Sequence, residues 1–148
     1  MNEQTKKRAL RLLDKRDYAR RELIDKLVEK GETAEDAEAV ADRFVELGLI
    51  NDARYGSLVV RHYAAKGYGV NRIRTELNRR GLPRELWDEA LASMPAQDDT
   101  VDRFLRSRLK GNFDQKDVKR VSDALVRRGF SWDEIKSALN RYRSELEE

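Results

Sequence analysis

Residues 66–83 read KGYGVNRIRTELNRRGLP, and the way this stretch folds decides the architecture of the whole chain. Val70, Ile73 and Leu77 recur at the i, i+3, i+7 spacing of one apolar helix face. Gly81 falls where a helix C-terminus favours a left-handed residue, a conformation glycine adopts without a Cβ penalty. Arg79 and Arg80 lie in the last turn before it, where the helix dipole favours cations. Pro83 suits the first turn of a following helix. Gly67 and Gly69 flank Tyr68 and let the chain bend sharply before the helix begins. The stretch therefore predicts a corner, an amphipathic helix, a glycine stop and a restart.

The same ending returns at Arg127-Arg128-Gly129-Phe130-Ser131, and an earlier version stands at Lys30-Gly31-Glu32. Aligned on Gly31, Gly81 and Gly129, the chain shows Leu27, Leu77 and Leu125 four residues before each glycine, and Leu23, Ile73 and Val121 eight before. Ala41, Leu91 and Leu139 follow ten residues after, and Phe44, Met94 and Tyr142 thirteen after. Internal periodicity of this length indicates a repeat architecture. Restart signals follow the glycines: Ser131 and Glu134 fit a capping box, and Thr33 offers a single cap. A further helix precedes each pair. Residues 4–15 place Ala9, Leu12 and Leu13 inward. Residues 52–66, capped by Asn51 or Asp52, face the core with Leu58, Val59 and Tyr63. Residues 100–110, capped by Thr100, bury Val101, Phe104, Leu105 and Leu109. The fold class is all-α, about nine helices in three tandem three-helix repeats at 1–50, 51–97 and 98–148, with PAQDDT at 95–100 as the clearest linker.

Composition bounds the function. Of 148 residues, 40% are charged and 39% hydrophobic, which suits thin cores between amphipathic helices rather than one thick core. No apolar run approaches the length needed to span a membrane, and MNEQTKKRALRLL lacks the apolar run of a signal peptide. The expectation is a soluble, cytoplasmic protein. There is no cysteine, hence no disulfide frame or thiolate nucleophile. His62 is the single histidine and sits beside Arg61 and Tyr63 with no metal-ligand pattern, so it reads as a packing or surface residue. No Walker A, GxGxxG or GxSxG motif occurs. Neither enzymatic activity nor a cofactor nor a metal is expected.

Charge is distributed in bands. Residues 1–30 carry ten basic and six acidic side chains, net +4, and residues 31–66 four and seven, net −3. Basic bands recur at 67–82 and 106–129, acidic ones at 83–105 and 130–148. Part of this is ordinary helix electrostatics, with acidic starts and basic ends. The rest speaks to partners. The candidate contact residues are Arg72, Arg79 and Arg80 in the second repeat and Lys119, Arg120, Arg127 and Arg128 in the third. Each could equally be a solvated helix flank. Tyr68 reads as a wedge at a helix corner, with base stacking as the alternative role. Trp87 and Trp132, each early in the helix after a glycine turn, read as core.

These segments resemble the RecX family of regulatory proteins. The matching stretches are ALRLLDKRDYARRELIDKL from residue 9, LGLINDARY at 47–55 and KGYGVNRIRTELNRRGLP at 66–83, with ALVRRGFSWDEIKSAL at 124–139 fitting the usual ending. Two departures stand out. The capping Ser of the first basic helix is Ala19 here, with Asp17 as the candidate substitute. Glu32 stands where the other repeats have Leu82 and Phe130. The resemblance implies an elongated, all-helical modulator of the RecA recombinase. Such a protein binds the RecA filament, with single-stranded DNA inside it and DNA directly in some members, and inhibits recombinase, ATPase and coprotease activities. A monomer is expected. The alternative is a sequence-independent DNA-binding helical repeat protein without a RecA partner.

Overall fold

The computed structural model describes residues 2–94 and 98–147. Among them the chain is helical throughout, without strands: α1 Glu3–Lys15, α2 Arg20–Glu29, α3 Ala34–Glu46, α4 Asp52–Ala65, α5 Val70–Arg79, a 3-10 turn at Arg84–Leu86, α6 Trp87–Ala92, α7 Asp98–Leu109, α8 Gln115–Arg127 and α9 Trp132–Glu147. The all-α reading and its nine helices hold. Of the predicted linker at 95–100, residues 95–97 lie outside the described residues, and residues 98–100 form the first turn of α7 instead.

Local chemistry accounts for the helix ends. The Asn2 side chain accepts from the N–H groups of Gln4 and Thr5 at 2.9 and 3.2 Å. Thr33 accepts from Asp36 N–H at 3.1 Å, and Asn51 from Arg54 N–H at 3.0 Å. Ser131 and Glu134 form the reciprocal capping box, Oγ accepting from Glu134 N–H at 3.1 Å and Oε1 from Ser131 N–H at 3.0 Å. The three repeat glycines have φ of +105°, +70° and +100°. Each closes the same turn: the residue after the glycine donates its N–H to the carbonyl of Leu27, Leu77 or Leu125, and the glycine donates one residue later on the helix. This double bond pattern satisfies carbonyls that the helix end would otherwise leave open.

Three expectations are corrected. Thr100 is not a cap, because α7 already begins at Asp98. Leu58 is 41% exposed, since the inward face of α4 runs through Tyr55, Val59 and Val60 instead. Asp17 does not replace the lost cap of α2. Glu22 Oε1 accepts from Ala19 N–H at 3.0 Å, and Asp52, at the start of α4, accepts from Arg20 N–H at 2.8 Å. The missing side-chain oxygen is thus supplied from 32 residues away.

The chain divides into two compact units, Met1–Val59 with Glu76–Ala92 and Val60–Thr75 with Ser93–Glu148, the division falling within α4 and within α5. The first unit is centred on Leu23, Leu27, Val40, Ala41 and Phe44, all fully buried. The second is centred on Leu105, Leu125, Phe130, Ile135 and Ala138. The leucines four residues before each repeat glycine are core: Leu27, Leu77 and Leu125 each have no exposed surface, whereas Leu91 and Met94, also aligned by the repeat, are half-buried. Truncating a fully buried leucine to alanine costs about 2–5 kcal/mol. Glu32 finds a different role from Leu82 and Phe130. It accepts from the buried Thr5 hydroxyl at 2.7 Å and pairs with Arg8 at 3.3 Å.

Candidate partner-binding surface

In the second unit the glycines of the opening stretch serve a docking contact. Gly69 N–H donates to the carbonyl of Arg128 at 2.7 Å, and Asn71 N–H to that of Gly129 at 3.0 Å. These N–H groups belong to the first turn of α5, where no intrahelical acceptor exists. A Cβ on Gly69 would stand 2.5 Å from the Gly129 carbonyl oxygen, and one on Gly129 2.5 Å from the Cβ of Arg72. No side chain fits at either position, so the α4–α5 corner and the α8–α9 turn meet backbone to backbone.

This contact gathers four of the sequence-derived candidates at one place. Tyr68 and Arg72 flank the glycine clasp on one side, Arg127 and Arg128 on the other. The Arg72 guanidinium lies 5.3 Å from the Tyr68 ring centre, and that of Arg128 4.8 Å from the ring of Phe104. Tyr68, Arg72 and Arg128 are half-buried and Arg127 is exposed. Neither Arg127 nor Arg128 has an ion-pair partner among the described residues. Cation–π placement holds a guanidinium in position without neutralising it, so this charge stays available.

The remaining candidates fall elsewhere. Lys119 and Arg120 project from α8 with side chains 77% and 69% exposed, pairing with Asp123 at 2.9 Å and Asp117 at 3.3 Å along their own helix. Exposed pairs of this kind contribute a few tenths of a kcal/mol and are readily exchanged for a partner. Arg79 belongs to the first unit, as does Arg80; the Arg79 side chain is 72% exposed and meets Glu76 at 3.2 Å. Arg80 turns inward, donating to the Tyr55 hydroxyl at 2.7 Å. Arg16 reaches the same hydroxyl at 3.4 Å, pairs with Glu22 at 3.4 Å and stacks on Tyr18 at 3.6 Å. Burial, helped by the nearby Glu22 charge, pushes the Tyr55 phenol above its ordinary value, against the opposing pull of Arg80 and Arg16. This cluster packs the first unit.

Several contacts at the second-unit surface were not foreseen from the sequence. Arg108 stacks on Phe104 at 4.8 Å, the same distance as Arg128. His62, Tyr63 and Tyr68 form an edge-to-face series, with ring centres 5.1 and 5.7 Å apart. The interleaving of basic and aromatic residues across RHYAAKGYGVNR at 61–72 was the signal for it. Trp132, expected in the core, is 55% exposed, whereas Trp87 is buried and donates its indole N–H to the Leu82 carbonyl at 2.9 Å. Among the described residues no helix is long and apolar enough to cross a membrane.

Comparison with known proteins places this geometry in context. Residues 6–44 match the domain family described as RecX, first three-helix domain, and residues 51–91 that described as RecX, second three-helix domain. The chain is 36% identical over 134 residues to the regulatory protein RecX of Xanthomonas axonopodis pv. citri (strain 306), covering 88% of this chain and 83% of the relative. It is 35% identical over 141 residues to that of Trichlorobacter lovleyi, covering 90% and 92%. The crystal structure of RecX from Lactobacillus salivarius superposes with a TM-score of 0.81 at 22% identity, over 93% of this chain and 94% of that one. That likeness speaks to the fold.

Proposed function

Since the chain belongs to the RecX family, we propose that it regulates the RecA recombinase in the cytoplasm by binding the RecA nucleoprotein filament and inhibiting strand exchange, ATP hydrolysis and coprotease activity. The observation that carries the reading is the backbone clasp of Gly69 on the Arg128–Gly129 turn. It sets Tyr68 and Arg72 beside the Arg127–Arg128 turn, and on this reading they act as one cationic and aromatic surface together with Lys119 and Arg120 of α8. A filament presents anionic phosphate and repeated protein surface together. A chain with several separate contacts gains effective concentration on such a polymer. The acidic bands disfavour naked DNA as the main target, because like charges across an interface are costly.

The test is strand exchange and ATP hydrolysis by the cognate RecA on single-stranded DNA, with and without the protein, together with imaging of the filaments. Inhibition with shortened or decorated filaments supports the reading. Equal affinity for naked and RecA-coated DNA, with no effect on RecA activity, would replace it with the DNA-binding alternative. No catalytic role is assigned to the chain itself. Arg72, Tyr68, Arg127, Arg128, Lys119 and Arg120 are the contact residues in this proposal, with Arg79 as a separate contact from the first unit.

A further inference from the structure

Two of the three glycine turns are covered by the start of a helix from the preceding repeat. In the second unit the Gly129 turn seats on Gly69–Arg72 at the start of α5, with the Arg128 carbonyl accepting from Gly69 N–H at 2.7 Å. In the first unit the Gly81 turn lies on Arg21 at the start of α2: a Cβ on Gly81 would stand 2.9 Å from the Cβ and Cγ of Arg21. Arg21 is ten residues before Gly31 and Arg72 nine before Gly81, so the two contacts fall within one residue of the same repeat position. The Gly31 turn is the exception. A Cβ there would meet nothing within 4 Å.

The bare Gly31 turn has its acceptor filled differently. The Lys30 carbonyl, equivalent to that of Arg128, accepts from Arg8 Nη1 at 2.6 Å. Arg8 is held by Glu32 at 3.3 Å, and Glu32 by the Thr5 hydroxyl at 2.7 Å. Thr5 is fully buried. Glu32 is the position at which the other repeats carry Leu82 and Phe130, both buried. A guanidinium from α1 therefore occupies the place that a backbone N–H takes in the Gly129 contact, and a carboxylate replaces the apolar residue beside it. Repeat arrays with an uncovered docking face associate end to end unless that face is capped by polar groups.

We propose that Arg8 and Glu32 form a lock that closes the Gly31 turn against docking by a second copy of this chain. The surface to which a second copy would offer itself is the second turn of α8, around Lys119 and Arg120, which stand ten and nine residues before Gly129 as Arg21 and Arg72 stand before Gly31 and Gly81. Among the described residues no glycine turn covers it. With the lock closed the chain stays a monomer, and its docking faces do not assemble into open fibres by the heterologous route. The lock is specific to this repeat because only here is the turn unoccupied.

The test uses the full chain. Sedimentation across a wide concentration range should give the monomer mass for the natural sequence. The doubly changed Arg8→Ala/Glu32→Leu chain should show a rise toward twice that mass or beyond. The chain lacks cysteine, so Lys30→Cys can carry a benzophenone at the turn while its carbonyl is unchanged. Crosslinks to residues of α8 in another copy should appear only in the opened background. If the double change unfolds the chain, Arg8→Ala alone, which leaves the Thr5–Glu32 bond, should give the same crosslink in lower yield. Two results overturn the proposal. One is a chain with Arg8 and Glu32 intact that self-associates and crosslinks through the label at position 30. The other is an opened chain with unchanged helicity that stays monomeric and uncrosslinked.

Discussion

Gly69 and Arg128 stand 59 positions apart in sequence, yet the amide of one donates to the carbonyl of the other at 2.7 Å. That bond makes Gly129 answer to two demands, a positive φ of +100° and a neighbouring backbone that leaves no room for a Cβ. Gly31 answers only to the first, with φ +105° and open space around it. Gly31→Ala should therefore cost about 1–2 kcal/mol, the strain of a left-handed L-residue. Gly129→Ala should cost about 3–4 kcal/mol, because overpacking against backbone adds to the strain. Urea denaturation of both variants measures the difference. Equal losses would show that the clasp contributes nothing beyond the turn.

Tyr55 sets a limit on stability at alkaline pH. Burial foremost, then the Glu22 charge, raise its phenol above the ordinary 10.0, while Arg80 and Arg16 pull the other way and lose. In the unfolded chain the phenol ionises near 10; in the folded chain it keeps its proton to higher pH. The unfolded state then binds fewer protons, so stability falls as pH rises from about 10 through the folded value. Tyr55→Phe should flatten that fall relative to the natural chain. At neutral pH it should cost about 1 kcal/mol, through loss of the acceptor for Arg80. Thermal melts of both chains from pH 7 to 11 give the comparison. Parallel curves would rule Tyr55 out as the source.

How much of this was legible follows from distance along the chain. The glycine turns and the Ser131–Glu134 box are made by residues within a few positions of one another, so spacing revealed them. The buried faces of α5 and α8 followed from helical periodicity. The clasp was invisible, because a glycine needed for close approach looks the same in sequence as one needed for a bend. The cap supplied by Asp52 to α2 was hidden by distance, since Asp52 lies 32 residues after the Arg20 amide that it accepts from. Arg80 read as a surface cation because nothing in the local pattern announces Tyr55 as its acceptor.

The two tryptophans separate core from surface in the same way. Six residues after each repeat glycine come Ala37, Trp87 and Ile135, all buried; three residues after come Ala34, Arg84 and Trp132, all exposed. Trp132 therefore occupies a solvent position of the repeat, and its size alone suggested otherwise. Trp87→Ala should cost about 3–5 kcal/mol by opening a cavity. Trp132→Ala should stay within about 0.5 kcal/mol, as exposed substitutions do. Denaturation measures both. A loss at Trp132 comparable to that at Trp87 would mean that this ring is covered in the folded chain.

Charge on α8 offers the sharpest check on filament binding. Lys119, Arg120 and Arg127 are exposed, and among the described residues the first two pair only with carboxylates on their own helix. Changing all three to glutamine should leave the fold intact, since each lost pair is worth a few tenths of a kcal/mol. If these side chains meet phosphate in the filament, affinity for RecA-coated single strands should fall at least about tenfold. The salt slope should flatten by about 2 log units per log unit of salt, near 0.7 per phosphate on a single strand. Removing as many charges from α1, by Lys7→Gln, Arg11→Gln and Lys15→Gln, controls for net charge and should leave the slope nearly unchanged. Equal effects from both sets would mean that the filament senses overall charge rather than this helix. A loss of affinity at unchanged slope would assign the α8 cations to protein contacts instead of phosphate.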